Sequence, residues 1–144
     1  MTDQEALAGP HRVIADFFFT MGMDGAGEDL ERWLQAAFSE EYSWSHGSPG
    51  NLLFIHEQLL SLIEAADAIL AVSPDDPSLP VLKAFFAFMD MEGWKETLYS
   101  LLYAGLSDHS IVGMAGPETL LPICRHLHRL VEACFVISLQ KNVR

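Results

Sequence analysis

The chain has 144 residues, half of them apolar, with 20 acidic and 8 basic side chains and a formal net charge of −12. That length suits one domain with a sizeable core, and the acidic balance argues against direct nucleic-acid binding, which relies on Lys and Arg neutralising phosphates. No apolar run approaches the ~20 residues that span a bilayer, and Met1–Arg12 lacks the basic and apolar stretches of a secretory signal, so a cytoplasmic location without membrane contact is expected.

One stretch organises the rest. Phe17–Ser39 returns at Phe85–Ser107, and the offset of 68 holds without a gap from Val13/Val81 to Ile69/Ile137. Over those 57 pairs 20 are identical, among them Phe17/Phe85, Phe18/Phe86, Met21/Met89, Leu34/Leu102, Pro49/Pro117 and Glu64/Glu132. The pattern predicts a tandem duplication, with repeat 1 at about 11–73, a linker at about 73–79 and repeat 2 at about 80–141.

In chain order, the residues before Pro10 are polar and read as frayed, and a first helix is expected from Pro10 or His11. Val13, Ile14, Phe17, Phe18 and Met21 give it an apolar stripe at helical spacing. The cluster Gly22–Gly27 ends it. A second helix runs from Asp24 or Ala26 to Phe38 with acids in its first turn, where the helix dipole favours them. Gly25 and Gly93, kept in both copies, read as a tight approach or turn and not as an anion loop. Ser39–Ser48 is a polar and aromatic loop. Pro49 then opens the longest helix, Pro49–Val72, on which Leu52, Ile55, Leu59, Leu62, Ile63, Ala66, Ile69 and Leu70 form one stripe.

The second copy repeats this plan. Its first helix has Ser78 as a candidate N-cap and Pro80 in its first turn, followed by helices near Glu92–Ala104 and Pro117–Lys141. A three-helix unit leaves apolar surface uncovered, and a second copy is the natural cover. The expected fold is therefore all-α: one compact domain over 1–144, a six-helix bundle with a pseudo-two-fold four-helix core.

No constellation for catalysis, cofactor or metal emerges. No Glu has a His three residues on, as di-iron bundles require, and His126 and His128 at i, i+2 fall on different faces of a helix. No Gly-x-Ser-x-Gly elbow is present. Cys124 and Cys134, ten residues apart on one helix and so ~15 Å apart, read as small buried hydrophobes. Phe17–Met23 and Phe85–Met91 read as core, with the unmatched Phe19 and Phe88 as exposed members.

Charge is the remaining signal. Residues 1–77 hold 14 acids and 2 bases, whereas residues 78–144 hold 6 of each. The leading expectation is a non-enzymatic interaction or regulatory module whose acidic first repeat faces a basic macromolecular partner, a nucleic-acid mimic being one variant. Its candidate residues are Glu28, Glu31, Glu40, Glu41, Trp44, Glu57 and Glu64. Glu64 is singled out because its own helix offers no basic neighbour, so that pairing with the other copy is the first expectation and an external partner the second, whereas Arg125 and Arg129 stand ready to pair with Glu132. The alternative is a small-ligand binder or enzyme with a pocket at the pseudo-two-fold interface. A third reading places the function in the loop Tyr42–His46.

Overall fold

The computed structural model describes residues 3–38, 49–72, 79–106 and 117–142. Among them the chain forms six α-helices and no strand: α1 (Asp3–Met21), α2 (Met23–Phe38), α3 (Pro49–Val72), α4 (Leu79–Phe88), α5 (Met91–Leu106) and α6 (Pro117–Asn142). Glu40, Glu41, Trp44, the loop Tyr42–His46 and most of the linker lie outside the described residues.

The main departure from expectation is at the start. α1 begins at Asp3, seven residues before Pro10, and carries that proline inside it. Gln4, Glu5, Ala6, Leu7 and Ala8 are good helix formers. Their propensity outweighs the one backbone bond to Ala6 that Pro10 cannot donate. Val13 also leaves the expected stripe: it is 37% exposed, and Ile14 and Phe17 carry the buried side of α1.

Two junctions join short helices by different chemistry. Between α1 and α2 a single residue, Gly22, adopts φ +71°, a conformation that costs an L side chain about 1–2 kcal/mol. Its N–H donates to the Phe18 carbonyl and its own carbonyl accepts from Ala26, so hydrogen bonding runs through the break. Gly25 and Gly27, by contrast, lie within α2, and a Cβ on Gly25 would meet open space, so it makes no tight approach. Between α4 and α5 stands Asp90. Its Oδ1 accepts from the Gly93 N–H at 2.8 Å, an N-cap for α5. Here the glycine does sit close to a neighbour, because a Cβ at Gly93 would run into the Met89 side chain.

α1 packs mainly on α3 and also on α6; α2 lies along α5; α5 also meets α3, α2 meets α6, and α4 rests on α6 and α3. The stripe predicted for α3 is buried from Leu52 to Ile69, with Leu70 half-buried at its edge. Burial of each such aliphatic side chain stabilises by about 1.5–3 kcal/mol. Two indoles anchor the centre. Trp33 is fully buried and its Nε1–H donates to the Leu101 carbonyl at 3.0 Å. Trp94 stacks on Phe85 with centroids 4.0 Å apart and donates to the Phe85 carbonyl. Leaving either buried N–H without an acceptor would cost about 1–3 kcal/mol.

Candidate functional site

Four of the candidate acids are described, and they divide into two pairs. Glu28 and Glu31, on α2, meet side chains of the chain itself: Glu28 lies 3.9 Å from the Arg32 guanidinium one turn on, and Glu31 lies 3.4 Å from Nε2 of His128 on α6. Arg32 also reaches Asp29 at 3.7 Å. These acids are therefore partly occupied. Glu57 and Glu64, on α3, are exposed and have no ion-pair partner among the described residues.

The outer face of α3 holds more than charge. Leu53, Glu57, Ser61, Glu64 and Ala71 follow one another at i, i+4, i+8, i+11 and i+18, all exposed, with half-buried Leu60 and Ala68 between them. Leu53 and Phe54 are 45% and 44% exposed, and Asp67 borders the strip. The result is an acidic ridge with apolar side chains at its N-terminal end, on a helix whose opposite side is locked into the core.

A second feature lies between α2 and α6. An open groove of about 630 Å³ is lined by Glu31, Leu34, Leu121, Cys124, Arg125, His128, Arg129 and Glu132. The expected pairing of Glu132 with Arg125 or Arg129 does not occur among the described residues; all three side chains border the groove instead. Exposed i, i+3 pairs gain only a few tenths of a kcal/mol, which leaves the choice to the local surface. Cys124 corrects a second expectation. It is half-exposed in this groove and only Cys134 is buried. Burial, with Glu31 nearby, pushes the Cys124 thiol up to about 11, so it stays neutral at physiological pH.

The histidines occupy separate surroundings. His126 stacks on Phe88 with centroids 4.4 Å apart, away from the groove that His128 lines. Burial pulls the His126 pKa down, and the Arg129 charge adds to the effect. His56 sits edge-on to Trp33 and is also lowered by burial, against the opposing pull of Glu57. Among the described residues no three His, Cys, Asp or Glu side chains come together as a metal site, and no helix is long and apolar enough to cross a membrane.

A pocket between the two halves was the alternative expectation, but of the groove's residues only Glu31 stood among the expected site residues. The groove's signal was present in part, since Leu121, Arg125 and Arg129 are spaced by four residues on one face. The contribution of α2 through Glu31 and Leu34 crosses between helices and has no periodicity to reveal it. No protein-family model, curated protein or solved structure matches this chain.

Proposed function

We propose that the chain is a duplicated helical interaction module whose acidic first unit presents the outer face of α3 to a basic macromolecular partner. The observation that carries this reading is that face itself: Glu57 and Glu64, exposed and unpaired among the described residues, beside exposed Leu53 and Phe54. A partner helix with Lys or Arg aligned beside apolar side chains would complement it in charge and in hydrophobicity. The setting is the cytoplasm, and Cys124 and Cys134, which form no disulfide, suit a reducing compartment.

The duplication is part of the proposal. Buried positions recur at the offset of 68: Ile14/Leu82, Leu30/Leu98, Leu34/Leu102, Ile55/Ile123, Leu62/Leu130 and Ile69/Ile137 are buried on both sides. Residues near a two-fold axis meet their own counterparts, and Trp33 donates to the carbonyl of Leu101, the residue 68 positions on. The pairing of α2 with α5 has the same character. On this reading the core is common to both units while their outer faces have diverged, and the charge difference between the halves lies on those faces.

The test is capture from nuclease-treated host lysate, comparing wild type with E57Q/E64Q. Wild type should retain a basic protein at low salt and release it at high salt, and the variant should lose it while melting at the same temperature. Equal retention by both proteins would overturn the role given to α3.

A further inference from the structure

The α2–α6 groove shares no residue with the outer face of α3, and its chemistry differs. We infer that it binds a small organic monoanion with an apolar body, such as a carboxylate on an alkyl or aryl group. Three observations carry this. The groove is of ligand size, about 630 Å³, and buried Leu34, half-buried Cys124 and exposed Leu121 give it an apolar lining. Arg125 and Arg129 stand on its rim without a carboxylate in ion-pair range among the described residues, in a chain where acids outnumber bases 20 to 8. The fold itself does not call for them, because the positions 68 residues earlier, Glu57 and Ser61, carry a carboxylate and a hydroxyl on a helix of the same kind.

The other groups set the charge of the ligand. His128 is engaged with Glu31 at 3.4 Å, which turns that carboxylate toward an internal partner. Glu132 remains on the same wall as the two arginines and repels a second negative charge. A planar carboxylate matches the forked donors of a guanidinium, and two such forks one helical turn apart can share it. A dianionic phosphate monoester would meet Glu132, and a neutral alcohol would leave the arginines unsatisfied.

Calorimetric titration of the full chain with decanoate, decanol and decyl phosphate, all below micelle formation, tests the inference. Decanoate should bind at least tenfold tighter than either of the others. It should also slow alkylation of Cys124, about fivefold when present at four times its dissociation constant, with buried Cys134 as the internal control. R125Q/R129Q should melt like wild type and lose the preference for decanoate. Decanoate binding no tighter than decanol, undiminished binding by R125Q/R129Q, or no heat from any of the three would overturn the assignment. None of these outcomes depends on whether α3 has a partner.

Discussion

His126 shows how one side chain couples surface chemistry to stability. Its ring covers Phe88 and lies edge-on to Phe85, so protonation would place a charge against the aromatic edge of the core. Burial and Arg129 hold its folded-state pKa below the ordinary value of 6.5. The contribution of such a group is fully present above the unfolded pKa. It is lost as pH falls from 6.5 through the folded value, because only the unfolded chain takes up the proton readily. The melting temperature should therefore fall between pH 7.5 and 5.5, and His126→Gln should make that fall shallower. His56, shifted in the same direction, keeps part of the slope in the variant. A slope unchanged by His126→Gln would show that the ring titrates freely. That His126 and His128 enter different surroundings follows from their i, i+2 spacing. That much was legible in the sequence, while the identity of each partner depended on the packing of α4 and α2.

The helices were legible to unequal degrees, for physical reasons. α3 runs from Pro49 to Val72 as expected, because a proline fixes its first turn and an unbroken apolar stripe fixes its register. α1 was misjudged because a proline that can open a helix can also be tolerated inside one when good helix formers precede it. The glycine cluster marked a break correctly, yet only Gly22 makes it. At the corresponding place in the second half the chain uses a cap in place of a left-handed glycine, and that difference predicts different sensitivities. Asp90→Ala should lower stability by about 1 kcal/mol, the usual cost of losing an N-cap acceptor, whereas Asp90→Asn should cost far less. Chemical denaturation of both variants reads this directly. Equal loss in the two would mean that the charge of Asp90 matters, and not its bond to Gly93.

At the scale of the whole molecule, one buried cluster draws on all six helices, while the outer faces of α3 and α6 differ in charge. The interior tolerates local rearrangement. Where Trp94 stacks on Phe85 in the second half, the first half has Ala26 near Phe17 and a cavity of only about 10 Å³ between them. The exteriors differ in charge at matched positions, Glu57 against Arg125 and Ser61 against Arg129, and each reading of function rests on one of them. Both require a single core that holds α3 and α6 in fixed relation. The bond from the Trp33 indole to the Leu101 carbonyl crosses the middle of that core. Hydrogen exchange of the indole N–H groups, followed by NMR, reads whether that core is common to both halves. The Trp33 indole should exchange as slowly as the most protected backbone amides of α3. Exchange at the rate of a solvent-exposed indole would mean that the two halves do not share a core, and the proposals for both outer faces would lose their foundation.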